Sequence, residues 1–173
     1  MKKMIGLVVS LTVIAGVCAA VLAYVNTITK DPIAEMLVKK TFESAKAVMP
    51  AGVEAVEMQE GTGIFFGKNA AGEVVGYAVK GEDAGGYGGD VVLMVGFQAD
   101  KQTVVCYKTL AAAETPGLGM KLNTPEFADQ FGGKDAATLK VRKDGGEIEA
   151  ITAATITSRA VCRAIAAAAA KLK

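Results

Sequence analysis

The sequence predicts an α+β protein, with a single N-terminal transmembrane helix followed by one mixed α+β domain. Three observations carry this. Met4 to Val25 is a run of 22 residues without a charge. Residues 64–107 hold several short runs rich in β-branched side chains, divided by turn residues. The C-terminal stretch is rich in alanine, with Val161, Ile165, Ala168 and Leu172 at helical spacing.

As a helix, residues 4–25 span about 33 Å, enough to cross a hydrocarbon core of about 30 Å. Lys2 and Lys3 precede the run, so the excess of cytoplasmic positive charge places the N-terminus in the cytoplasm and the rest of the chain outside it. Tyr24 falls at the far interface. A cleaved signal peptide is the competing reading, but the run is longer than a signal core and no small-x-small site ends it. Ala15-Gly16-Val17-Cys18 is a poor lipoprotein signal, because Val17 occupies a position for a small residue. Residues 1–25 are therefore expected to stay as the anchor.

Residues 26–50 read as a helical stalk and residues 51–173 as the domain. Asp31-Pro32 has the form of a helix start, Asp as cap and Pro at the first position. Ile33, Met36, Leu37, Ala45 and Val48 give a partly apolar face, and Pro50 and Gly52 end it. Ile64-Phe65-Phe66 and residues 74–79 are expected strands joined by a turn over residues 68–72. Gly85-Gly86-Tyr87-Gly88-Gly89 is a loop where a ligand can approach backbone, or a flexible connector; without a following Lys-Ser/Thr it is not a Walker motif. Residues 91–97 and 103–107 are expected to pair through a turn at residues 99–102. The first is apolar on both faces, which places it centrally in the sheet.

Residues 114–121 form a second glycine-bearing loop. Pro116-Gly117 signals a tight turn, and Leu118 sits between two glycines as an exposed apolar side chain. Thr124-Pro125 begins a short helix reaching Phe131, with Thr as cap. Residues 137–142 read as a strand, residues 144–146 as a turn, and Ile148, Ala150 and Thr152 as the end of a further strand. Thr155, Thr157 and Ser158 then crowd the start of the last helix. Such hydroxyls can cap free helix N–H groups, and the same N–H groups and the helix dipole favour an anion such as a phosphate carried on Thr155 or Thr157. The residues alone leave both readings open.

Composition narrows the functional classes. Hydrophobic residues make up 51% of the chain and the mean hydropathy is +0.34. The net charge is +1, with no basic bias of the kind nucleic-acid binding needs. There is no histidine, which removes the commonest general base and metal ligand. The three cysteines, Cys18, Cys106 and Cys162, form no Cys-x-x-Cys pair, so no zinc or iron–sulfur site is expected from this chain. Cys106 and Cys162 could pair if the domain lies outside the cell, which spacing alone does not decide, and buried free thiols are the expected state. A hydrolase built on Ser158 or Thr155 lacks its histidine and has no Ser-x-x-Lys.

Thr152-Ala153-Ala154-Thr155-Ile156-Thr157-Ser158 resembles the (Ser/Thr)-Gly-Ala-Thr-x-(Ser/Thr) signature of the FMN-binding domain family. That family includes the G subunit of the Rnf electron-transport complex and the C subunit of the sodium-pumping NADH:quinone oxidoreductase. Glu114-Thr115-Pro116-Gly117-Leu118-Gly119 matches a second family motif, and the Gly-Tyr-Gly-Gly stretch at residues 86–89 recurs there too. Asn26 to Glu35 and Thr152 to Val161 are most similar to Rnf G subunits.

The resemblance implies FMN joined through its phosphate to Thr155 by a separate flavin transferase that uses FAD. It implies a cofactor site made of Thr155, Thr152, Ala153, Ala154, Thr157, Ser158, Glu114, Thr115, Leu118, Gly119, Met120, Tyr87 and Gly88, with no catalytic residue. Leu118 would pack on the isoalloxazine ring and Thr115 would bond its polar edge. Glu149 takes the acidic place six positions before the threonine. Ala153 stands where the family has Gly, and would be strained if that position needs φ > 0. The implied function is an extracytoplasmic electron carrier in the membrane of a bacterium or archaeon. Its partners would be other subunits of a complex that oxidises ferredoxin, reduces NAD and moves Na⁺ or H⁺, and the isolated chain would turn over no substrate. The alternatives are a C-type subunit of the sodium-pumping enzyme and a membrane-anchored assembly module with no redox role.

Overall fold

The structure, a computed structural model, describes residues 2–59 and 62–173, with side chains from residue 4. The side chains of Lys2 and Lys3, on which the orientation rests, lie outside the described residues. The charge-free run lies in the first half of α1 (Lys2–Val48), a helix of 47 residues. Within it one 18-residue window has a mean hydropathy of 2.6, long and apolar enough to cross a membrane. The hydroxyls of Thr12, Thr27 and Thr29 donate to the carbonyls of Val8, Ala23 and Val25, each at 2.9 Å. Folding a hydroxyl back on its own helix satisfies it without water.

The expected helix start at Asp31-Pro32 does not occur, because Pro32 lies inside α1. A proline removes one backbone hydrogen bond, at a cost of roughly 3 kcal/mol, and the turns on either side retain theirs. The chain divides into two compact units, Met1–Lys40 and Thr41–Lys173.

The second unit is built on an antiparallel meander in the order β1-β2-β3-β4-β5. Its strands are β1 (Ala55–Gln59), β2 (Ile64–Lys68), β3 (Val74–Asp83), β4 (Val91–Gln98) and β5 (Val104–Ala112). The turns expected after Lys68 and after Gln98 are present. Asn69 Oδ1 accepts the N–H groups of Ala71 and Glu73, and Asp100 Oδ1 those of Gln102 and Thr103. β1 is not among the strands expected from the sequence: at the sheet edge its side chains are mostly exposed, so it lacks a buried apolar signal.

β4 is flanked on both sides and buried on both faces. Val91, Leu93, Val95 and Phe97 face the final helix, α3 (Thr155–Ala170), and pack with Val161, Ile165 and Ala168. Met94 faces the other way, with Phe65, Ala78, Ala45 and Val48. Each such side chain contributes about 1.5–3 kcal/mol by burial. The backbone approaches closely on both faces. A Cβ on Gly81 would strike the Ala164 carbonyl, and one on Gly96 the Val48 carbonyl.

After β5 the chain turns irregular. A 3₁₀ turn (Gly119–Asn123) leads into the short α2 (Pro125–Ala128) and a second 3₁₀ turn (Asp129–Phe131). Thr124 precedes α2 as expected but does not cap it: its hydroxyl donates backwards to Lys121 O at 2.8 Å.

The strand expected at residues 137–142 is absent. Only an isolated parallel bridge joins Val141 to Ile148, beside a 3₁₀ turn at Arg142–Asp144. Ile148, Ala150 and Thr152 likewise form no strand. Ile148 and Ile151 are buried with Val141, whereas Ala150 is half-buried and Thr152 exposed, so the expected alternation does not hold and the buried residues join the core beneath α3. A strand also needs a backbone partner, and here the Gln130 side chain partly substitutes: its Oε1 accepts the Glu149 N–H at 2.7 Å.

Candidate functional site

The site gathers where α3 begins. Thr155 is the first residue of α3 and Ala154 its cap position, with no side-chain cap hydrogen bond. The capping role open to Thr155, Thr157 and Ser158 is therefore not taken. Ser158, fully buried, works behind the loop instead. Its Oγ donates to Ala154 O and accepts the Ile151 N–H, each at 3.0 Å, which closes residues 151–154 against the helix. Ala153 is held at φ +61°, in the left-handed region. The position does need φ > 0, and a side chain strains it.

The first amides of a helix have no acceptor within it, so the N–H groups of Thr155, Ile156 and Thr157 form an open donor set at the positive end of the dipole. They face a cavity of about 460 Å³. Residues 153–157 line one side of it and Glu114, Thr115, Leu118 and Gly119 the other, with Tyr87 from the glycine loop. Thr157 Oγ1 is buried with no hydrogen-bond partner.

The Glu114 loop turns at Gly117, at φ +77°, and Leu118 N–H donates to Thr115 O at 3.1 Å. Glu114 is buried, and its Oε1 accepts the Tyr87 N–H at 2.9 Å. The glycine loop is therefore pinned rather than a free connector. Its other end is held by Asp83, which takes two hydrogen bonds from the Arg163 guanidinium of α3, at 2.8 and 2.7 Å, and one from Gly85 N–H at 2.9 Å. The Arg163 hydrogen bonds, ahead of the opposing effect of burial, hold the Asp83 carboxyl below the usual aspartate range.

Of the anticipated residues, Thr155, Ala153, Ala154, Thr157, Glu114, Thr115, Leu118, Gly119 and Tyr87 meet at this cavity. Four do not line it. Ser158 lies beneath the loop, and Gly88 packs on the Ala113 carbonyl. Met120 lies in the 3₁₀ turn, its N–H donating to Thr115 O at 3.2 Å. Thr152 is exposed and borders a separate hollow of about 180 Å³ with Gln130 and Glu149. Glu149 is paired with Arg142 at 2.6 Å.

Ile156 was not foreseen. It lines the cavity and is 48% exposed. Its one sequence signal is an apolar side chain lying off the buried face of an amphipathic helix. Among the described residues no group of acidic or cysteine side chains could hold a metal ion.

The chain thus combines a helix long and apolar enough to cross a membrane with a meander domain that holds a ligand-sized cavity at the start of its last helix. Comparison with known proteins makes this specific. The FMN-binding domain family matches residues 86–170. The G subunit of the ion-translocating oxidoreductase complex of Methanosarcina acetivorans is 31% identical, over 95% of this chain and 92% of its own length. The G subunit of the Na(+)-translocating ferredoxin:NAD(+) oxidoreductase complex of Acetobacterium woodii is 36% identical, over 87% and 83%. Crystalline NqrC of Shewanella oneidensis shares the fold, with a TM-score of 0.52 at 18% identity over 66% of this chain and 64% of that one. The chain belongs to the FMN-binding domain family, alongside the G subunits of ion-translocating oxidoreductase complexes.

Proposed function

We propose that the chain is the FMN-carrying G-type subunit of a membrane Rnf-type complex that couples ferredoxin:NAD oxidoreduction to Na⁺ or H⁺ transport. The observation that carries this is the cavity at the start of α3, with Thr155 on its wall. The residues fit the cofactor. The volume lies in the range of roughly 300–1,000 Å³ typical of small-molecule sites. Three free helix amides suit a phosphate. The apolar Leu118, Ile156 and Tyr87 suit a flat ring, and the partnerless Thr157 hydroxyl suits a polar ligand atom. When bound, FMN supplies transfer of one or two electrons, and the chain positions and tunes it.

In this reading Thr155 Oγ1 accepts the FMN phosphoryl group from FAD on a flavin transferase. The new phosphoester forms as the FAD pyrophosphate bond breaks, and AMP leaves with the pair of electrons while the threonine proton passes to the transferase. Residues 1–25 anchor the chain, residues 26–50 are a stalk that is helical as far as Val48, and residues 51–173 carry the cofactor. Lys2 and Lys3 put the N-terminus in the cytoplasm and the FMN outside. The isolated chain turns over no substrate. The likeness to NqrC also accommodates a C-type subunit of a sodium-pumping NADH:quinone oxidoreductase, but the Methanosarcina and Acetobacterium relatives, each matched over most of its length, are G subunits.

The test is the intact mass of the chain purified from membranes that contain the transferase, followed by peptide mapping. The expected result is one FMN as phosphoester on the peptide holding Thr155, lost in Thr155→Ala. The fold should survive that change, since Thr155 gives no side-chain cap to α3. Covalent FMN retained in Thr155→Ala would move the attachment elsewhere, and an unmodified wild-type chain would remove the carrier role.

A further inference from the structure

The Thr157 hydroxyl is buried, borders the cavity and has no partner. A buried hydroxyl without a hydrogen bond is costly, so one kept on a cavity wall points to a group that arrives later. Its surroundings say what kind. Gly119 lies between Thr157 and Glu114: a Cβ there would stand 2.9 Å from Thr157 Oγ1 and 2.5 Å from Glu114 Oε2. The missing side chain lets a carboxylate and a hydroxyl converge on one spot of the wall. Glu114 Oε1 is occupied by the Tyr87 N–H, while Oε2 makes no hydrogen bond among the described residues. A free carboxylate oxygen accepts hydrogen bonds and repels anions.

We infer that Glu114 Oε2 and Thr157 Oγ1 form a subsite for an uncharged hydrogen-bond donor of the bound ligand, an alcohol or an imide N–H. The phosphate is held apart from it, at the open amides of α3. In FMN such donors are the ribityl hydroxyls and the ring imide, so the inference rests on the FMN reading and deepens it. The cavity is polarised: amide donors for the anionic end of the cofactor, a carboxylate–hydroxyl pair for a neutral part.

The inference makes an unusual demand on stability. Thr157→Val keeps the shape and removes only the hydroxyl. In the flavin-free chain that deletes an unsatisfied group, so the variant should melt at or above the wild-type temperature. In the FMN-loaded chain it deletes a made hydrogen bond. The experiment is thermal unfolding of the full-length chain, prepared with and without the flavin transferase, with mass confirming the loading. The rise in melting temperature on loading should shrink in Thr157→Val by about 2 °C or more, the shift expected of one hydrogen bond in a domain of this size. Thr157→Ser should restore it, and Glu114→Gln, which leaves one oxygen where Tyr87 N–H and the ligand each need an acceptor, should also shrink it.

An equal rise in wild type and Thr157→Val would overturn the subsite while leaving the attachment at Thr155 standing. A flavin-free Thr157→Val chain that melts below wild type, or fails to fold, would also overturn it, because the hydroxyl would then have a structural partner. A wild-type chain that takes no flavin would overturn both readings, and its unmodified mass separates that outcome from the others.

Discussion

Ala153 carries a conformation that an L side chain resists. Left-handed backbone costs a non-glycine residue about 1–2 kcal/mol, and glycine returns part of the gain through a freer unfolded chain. At φ +61°, Ala153→Gly should therefore stabilise the flavin-free domain by about 1 kcal/mol, raising the melting temperature by a few degrees. A melting temperature that falls would mean the Ala153 methyl makes contacts worth more than the strain. The need for φ > 0 was legible because the family has Gly at this place. The hydroxyls were less legible. Sequence puts Thr155, Thr157 and Ser158 at a helix start, where capping is the ordinary use. Yet Ser158 turns back to fix residues 151–154, and Thr157, at the cavity lining, is buried with no hydrogen-bond partner. Proximity to a helix end does not tell which way a hydroxyl points.

At the scale of elements, the strands with a buried apolar face were legible and those without were not. β2 to β5 announce themselves by β-branched and aromatic runs around turns. β1 is exposed, and residues 137–152 bury apolar side chains at irregular spacing, with an isolated bridge in place of a ladder. The tie between β3 and α3 was invisible, since Asp83 and Arg163 are 80 residues apart. It has a pH signature. A depressed folded-state pKa gives a carboxylate stability that is full above its unfolded value, about 3.9, and is lost as pH falls through the lower folded value. Asp83→Asn should therefore destabilise the domain by about 1 kcal/mol at pH 7, as befits a pair at the surface. The gap from wild type should close as pH drops below about 4. Urea unfolding of both chains at neutral and at acid pH measures it. A gap that stays constant would mean the asparagine variant fails for reasons of shape rather than charge.

At the scale of the whole molecule, the sheet separates two apolar layers, and this decides the fate of the cysteines. Cys162 belongs to the layer beneath α3, and Cys106 packs against the opposite one, with Ala45, Val48 and Met94. A disulfide needs Cα atoms within about 7 Å and Cβ vectors that converge, which two residues on opposite faces of a sheet do not offer. Both are free, as spacing alone could not decide. Burial pushes the Cys162 thiol up to about 11 and also raises Cys106, so neither supplies much thiolate near neutral pH. The domain thus stands on its two-layer core without a covalent tie, even in the oxidising surroundings that the proposed orientation gives it. Its melting temperature should be the same with and without reductant, and both thiols should alkylate slowly in the folded chain and quickly in urea. If reductant lowered the melting temperature, Cys106 and Cys162 would have to be joined. The sheet would then have to open between β4 and β5 to let them meet, and the packing of Phe97, Val104 and α3 would open with it.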